Sequence, residues 1–179
     1  MSLDPPVIRP VRDADMAAIA AIYGVQVETS VSTYEVDRPD IAEMQQRMAT
    51  IVAQGYPYLV AERAGQIAGY AYATGYRARR AYRFTVENTV YVDAAHQGHG
   101  IGTALLKALI DDCTARGFRQ MIAVIGEAAN AASVRLHERA GFRTVGVFQG
   151  IGRKHGRWLD TVQMQRALGD GDACDPLDE

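Results

Sequence analysis

The sequence predicts a mixed α/β fold in a single domain. Three observations carry that expectation. Apolar residues recur at helical spacing in some segments and at strand spacing in others. Glycine, proline or a polar cluster marks the junctions between them. The resulting order is β-α-α-β-β-β-α-β-α-β-β, with no repeat and no linker separating two domains.

The elements follow in chain order. Residues 7–11 read as a short strand. Asp13 is placed to cap a helix over residues 14–27, where Met16, Ile19, Ile22 and Tyr23 share a face. Residues 28–38 break that period and read as a loop. Pro39 is expected at the first position of a second helix, striped by Ile41, Met44, Met48, Ile51 and Val52 and ended by Gly55. Residues 58–63 and 66–76 flank Ala64-Gly65, a hairpin signal. The run FTVENTVYV, residues 84–92, is rich in β-branched and aromatic residues.

The period then changes. Ile101, Ala104, Leu105, Ala108, Leu109 and Cys113 define an amphipathic helix, with Gly117 as its stop. Residues 118–125 form a strand whose centre, MIAVI, suggests burial on both faces. Asn130 caps a short helix over residues 131–140, stopped by Gly141. Strands at about residues 142–150 and 160–166 bracket a loop at residues 153–157.

The domain is expected over residues 1–168. The acidic, aperiodic tail 169–179 (GDGDACDPLDE) is expected to be disordered. The chain has 179 residues, 48% of them hydrophobic, which suffices for one core. A net charge of −2 gives no bulk attraction to nucleic acid or anionic membrane. Cys113 and Cys174 lack metal-ligand spacing and read as one buried and one exposed thiol, with no metal site expected. The start MSLDPPVIRP lacks a signal-peptide pattern, and no apolar run has the length to span a bilayer. These readings point to a cytoplasmic protein with no membrane partner.

The chemistry begins at Gln97-Gly98-His99-Gly100-Ile101-Gly102. A strand leads into this glycine-rich turn, and the turn opens the third helix. A helix start offers unpaired N–H groups and the positive end of a dipole, so an anion fits there. The spacing is G-x-G-x-G rather than the dinucleotide fingerprint G-x-G-x-x-G, and no P-loop Gly-Lys-Ser/Thr occurs. By itself the turn supports an anion site.

The hexapeptide resembles the Q/R-x-x-G-x-G/A signature of the GNAT acetyltransferases. The resemblance runs from Val7 to about Leu168. It is closest at residues 85–92 (TVENTVYV), 133–138 (SVRLHE) and 154–160 (KHGRWLD), which together resemble the phosphinothricin and methionine sulfoximine/sulfone N-acetyltransferases. It implies a single-domain GNAT fold, with a mixed, mostly antiparallel central sheet flanked by helices. It implies acetyl-CoA as co-substrate. Main-chain groups of Val90, Tyr91 and Val92 would pair with the pantetheine arm, and Gln97, Gly98, His99, Gly100, Ile101, Gly102 and Thr103 would hold the pyrophosphate. Asn130 and Ser133 would lie toward the thiol end.

Transfer of acetyl to an amine needs a base for the ammonium proton, a donor for the developing oxyanion and a proton for the leaving thiolate. Glu87 interrupts an apolar run, so its carboxylate is expected to be partly desolvated and raised in pKa, as suits a base. A solvent-facing strand residue is the alternative. His137 occupies a position where many GNAT enzymes carry tyrosine. It stands open as acid, base or packed helix residue. By family analogy the oxyanion donor is the N–H of Val90 or Tyr91.

For the acceptor, the segment 28–34 supplies hydroxyls and Tyr34. Tyr76, Arg77, Arg80 and Val86 come from the loop and strand start before Glu87, with the arginines suited to a carboxylate. Lys154 and His155 are expected to close the pocket. The resemblance also implies a homodimer and a small-molecule amine acceptor. Acetylation of a protein N-terminus or lysine, and a non-catalytic acyl-CoA sensor, are the competing readings; nucleic-acid binding has no module to support it.

Overall fold

A computed structural model describes residues 5–126 and 130–176. Its centre is a seven-stranded sheet in the order β1-β2-β3-β4-β5-β7-β6. The strands are β1 (Val7–Pro10), β2 (Tyr58–Arg63), β3 (Gln66–Gly75), β4 (Thr85–Val92), β5 (Gln120–Gly126), β6 (Arg143–Lys154) and β7 (Arg157–Ala167). Every neighbouring pair is antiparallel except β4 with β5.

Four helices cover the two faces: α1 (Met16–Thr29), α2 (Ile41–Ala53), α3 (Ile101–Ala115) and α4 (Ala131–Arg139). One core joins Met16, Ile19, Tyr23, Met44 and Met48 to Tyr58, Val60 and Tyr70. The other packs Leu105, Leu109 and Cys113 of α3 on Ala61, Ala71, Val86 and Met121. Alternation along β4 divides its side chains between these layers. Val86 and Val90 belong with α3, whereas Tyr91 packs with the α1–α2 layer.

Several local expectations need correction. A 3₁₀ turn over Asp13–Asp15 precedes α1, and no side chain caps that helix. Asp15 instead takes a bidentate pair from Arg9 at 2.8 Å, and Arg9 also reaches Glu62 at 2.9 Å. That network ties β1, β2 and the start of α1 together. The cap of α2 is Asp40, which accepts from the Glu43 N–H at 2.8 Å; Pro39 lies before the helix. Within the α2 stripe, Met44 and Met48 are buried while Ile41 and Val52 are exposed.

The final hairpin is longer than its sequence pattern announces. Strands β6 and β7 run to a two-residue turn, His155-Gly156, with φ of 49° and 77°. Positive φ at both positions matches the twist of flanking strands, so the expected loop collapses to a tight turn. In β5, Met121, Ala123 and Ile125 are buried, but Val124 is 39% exposed, so the strand is not covered on both faces. The acidic segment through Pro176 turns back on β5. Arg119 Nη2 donates to the carbonyl of Asp175 at 3.2 Å, and Gly171 is buried. The last tail residues, 177–179, lie outside the described residues.

Candidate active site

Strands β4 and β5 pair only from Thr85↔Gln120 to Asn88↔Ala123. Beyond that point β4 continues against β3 and β5 continues against β7, so the two diverge. Parallel neighbours that part leave main-chain N–H and C=O groups on their facing edges without a ladder partner. A cleft of about 1060 Å³ occupies the opening. Its walls include residues 87–92 of β4 and 123–126 of β5, the starts of α3 and α4, the segment 29–34, and His155 with Arg157 from the last hairpin.

The start of α3 stands at one end. Gly98 and Gly100 have φ of 76° and 78°, a region closed to most side chains. A Cβ on either would meet nothing within 4 Å, so the backbone is open to an approaching group. Gly102 serves a different need. Its Cβ would stand 3.3 Å from Leu136 and 3.6 Å from Val92, so glycine there permits α3, α4 and β4 to pack closely. Gln97, Gly98, Gly100, Ile101, Gly102 and Thr103 line the cleft, while the exposed His99 does not. Asn130 Oδ1 caps α4 by accepting from Ser133 N at 3.2 Å, and both residues line the cleft.

Glu87 stands at the narrow end of the opening, half-buried, and burial pushes its carboxyl above the ordinary range. Tyr23, Thr33, Tyr72 and Thr89 add hydroxyl-bearing side chains to the lining of the same cleft. Tyr23 Oη and Thr33 Oγ1 are 2.8 Å apart. The rings of Tyr58 and Tyr72 stack at 4.9 Å, and Tyr23 meets Tyr91 edge-on at 5.3 Å.

His137 is only 4% exposed and both its nitrogens are engaged. Nδ1 lies 2.8 Å from the Ser133 carbonyl and Nε2 lies 3.0 Å from Asn88 Oδ1. Burial lowers its pKa, and the contact with Ser133 works in the opposite sense.

The expected acceptor residues divide. Tyr34 and His155 line the cleft, and the Tyr34 hydroxyl bonds to Thr161 and to the Asp160 carbonyl. Val86 does not line it: the side chain is 0% exposed and packs in the α3 core, on the other face of β4 from Glu87. Tyr76, Arg77 and Arg80 also lie away from the cleft of this chain. Arg77 covers the Tyr76 ring at 5.1 Å, and Tyr76 meets Tyr82 edge-on at 5.8 Å. Lys154 is buried rather than presented, with Nζ donating to the Thr33 carbonyl at 2.9 Å.

Thr33 belongs to the segment 28–34 expected to supply hydroxyls; sequence reasoning missed Tyr23, Tyr72, Asn88 and Arg157. Tyr70 and Tyr72 alternate along β3, which was a readable sign of one aromatic face. Nothing local marks the others, which are brought together by tertiary packing.

A divergent parallel strand pair, a glycine-led helix start and a half-buried carboxylate fit the N-acetyltransferase class that the sequence resemblance implies. Residues 8–163 match the family described as the acetyltransferase (GNAT) domain, and the chain belongs to that family. Among its relatives is the phosphinothricin N-acetyltransferase of Alcaligenes faecalis, 48% identical over 94% of this chain and 86% of that one. The L-methionine sulfoximine/L-methionine sulfone acetyltransferase of Pseudomonas aeruginosa is 42% identical over 90% of this chain and 94% of its own. The phosphinothricin acetyltransferase of Sinorhizobium meliloti, solved in complex with AcCoA, superposes with a TM-score of 0.94 at 47% identity. That match covers 98% of this chain and 95% of the other. The mixed α/β fold and the acetyltransferase assignment read from the sequence both hold. Among the described residues no cluster suited to a metal ion occurs, and no helix is long and apolar enough to cross a membrane.

Proposed function

We propose that this enzyme transfers acetyl from acetyl-CoA to the α-amine of a small amino-acid analogue of the phosphinothricin, methionine sulfoximine or methionine sulfone type. One observation carries the reading: Glu87 sits where β4 and β5 part, in the same cleft as the start of α3. The names of the relatives supply the acceptor class.

The fit of acetyl-CoA rests on two features. The α3 start, cleared of side chains at Gly98 and Gly100, suits a pyrophosphate. The open edge at Val90, Tyr91 and Val92 suits the amides of a pantetheine arm. Glu87 takes the proton from the acceptor ammonium, directly or through a water. The neutral amine then attacks the thioester carbon, the C–N bond forms, the C–S bond breaks, and the proton shed by the attacking nitrogen passes to the departing thiolate. An N–H of Val90 or Tyr91 donates to the oxygen that becomes negative. The attack is direct, in a ternary complex. Cys113 offers no acyl carrier, because it is buried in the α3 core with its thiol pushed up to about 12.

The catalytic unit spans residues 1–168 and works in the cytoplasm as a homodimer. The dimer reading draws on the apolar surface of the last hairpin. Phe148, Ile151 and Trp158 are exposed, Trp158 by 67%, on the hairpin that also carries His155 and Arg157 to the cleft. Sedimentation over a range of concentrations tests this, and a monomer throughout rejects it.

A thiol-release assay with acetyl-CoA tests the activity. The panel comprises phosphinothricin, methionine sulfoximine, methionine sulfone, free amino acids, polyamines and peptides. Fastest turnover is expected with the amino-acid analogues. Preference for peptides would move the assignment to protein acetylation, and saturable acetyl-CoA binding without turnover would make the chain a sensor.

A further inference from the structure

Where β4 and β5 part, the last paired residue of β4 is Asn88, opposite Ala123. Its side chain spans the junction. Nδ2 donates to the Ile122 carbonyl of β5 at 3.0 Å, and Oδ1 lies 3.0 Å from His137 Nε2. Asn88 therefore ties β4, β5 and α4 together at the vertex of the cleft. It is buried, as is His137, whose ring also meets Phe142 edge-on at 5.0 Å.

Both ring nitrogens of His137 are taken up by protein partners. Nδ1 lies against the Ser133 carbonyl and Nε2 against the Asn88 amide, whose other end is spent on the Ile122 carbonyl. A proton carrier needs a ring nitrogen that it can turn to the reacting groups, and here each is held by a main-chain or buried partner.

We propose that His137 and Asn88 are a positioning pair that fixes the point where β4 and β5 diverge, and that His137 carries no proton in the reaction. This rests on the acetyl-transfer reading of the cleft. Its physical content is that a ring held at both nitrogens can neither accept the ammonium proton nor supply one to the thiolate without breaking the tie that holds the cleft open. His137 thus acts through Asn88, and Asn88 through the backbone of residues 89–92.

Three measurements test the pair. In long-range ¹H–¹⁵N spectra of the full chain, the His137 ring is expected to keep one protonation state from about pH 6 to about pH 9; titration of the ring within that range overturns the proposal. By calorimetry, His137→Phe and Asn88→Ala are each expected to weaken acetyl-CoA binding about tenfold, with the double variant no weaker than the worse single. Losses that multiply would show two independent roles. His137→Gln, which keeps a donor for Asn88, is expected to restore affinity and both limbs of the kcat–pH profile. Loss of one limb, or a fall in kcat of about a hundredfold, would make His137 the acid or base after all. The spectra and the calorimetry need no acceptor, so they decide the pair even if no amine in the panel turns over. If acetyl-CoA does not bind, the ring spectrum alone decides it.

Discussion

The two halves of the cleft are built differently. The half proposed to hold the cofactor comes mainly from one stretch, residues 87–103, in which β4 runs through a short turn into α3. On that proposal its working groups are main-chain N–H and C=O, and Gly98 and Gly100 leave the approach to them open. The half proposed for the acceptor gathers Tyr23 from α1, Thr33 and Tyr34 from the following segment, Tyr72 from β3 and His155 with Arg157 from the last hairpin. It is lined by side chains from distant parts of the chain. A site made of backbone leaves a local trace in sequence, whereas a site made of convergent side chains does not.

The sharpest test of the comparison is Glu87, which stands where the halves meet. Glu87→Gln is expected to lower kcat by about 10²–10⁴-fold while leaving acetyl-CoA affinity within about twofold. The base works only when ionised, and burial raises its pKa. Wild-type kcat/KM should therefore rise with pH through that raised value, and the Gln variant should lose this acid-side limb. Wild-type rates across pH in the variant would remove Glu87 as base.

The next effect belongs to the cofactor half alone. At Gly100, valine would be forced to φ near 78° and would project into open cleft. Left-handed backbone costs an L residue about 1–2 kcal/mol, and the added volume blocks the approach. Gly100→Val should weaken acetyl-CoA binding by about tenfold or more, with little change in acceptor KM. Unchanged affinity in a folded variant would break the assignment of the α3 start.

The acceptor half responds the other way. Lys154 pins the segment bearing Thr33 and Tyr34, since its Nζ donates to the Thr33 carbonyl. Gly126 and Gly152 let that segment press close: a Cβ would stand 2.6 Å from the Val31 carbonyl and 2.8 Å from the Tyr34 ring, respectively. Lys154→Met keeps most of the volume and removes the pin, a hydrogen bond from a charged donor of about 1.5–3 kcal/mol. The expected result is a severalfold rise in acceptor KM with acetyl-CoA affinity preserved. Parallel losses for both substrates would mean that the halves are not separable.

The same division explains what could be read from sequence. Periodicity located α3 and its stop at Gly117, where φ is 85° and the Phe118 N–H returns to the Cys113 carbonyl. The glycine turn was legible because helix-start geometry is local. Val86 was misplaced because it neighbours Glu87 in sequence, yet alternation sends it to the opposite face of the sheet. Lys154 was read as a pocket residue because its polarity is visible and its burial is not. Asn88 escaped notice because its partners, Ile122 and His137, lie 34 and 49 residues away.

The smallest expected effect concerns a residue with two candidate duties. Asn130 caps α4, and it also lines the cleft. Asn130→Ala should lower stability by about 1 kcal/mol in urea unfolding, the usual loss for an N-cap. Asn130→Ser restores a capping oxygen on a shorter side chain. If capping is the whole of its role, the serine variant should recover both stability and acetyl-CoA affinity. If the carboxamide also contacts the thiol end of the cofactor, serine should recover stability while affinity stays a few-fold weak. The second outcome would extend the cofactor half to a side-chain contact, and would mean that backbone recognition alone does not complete it.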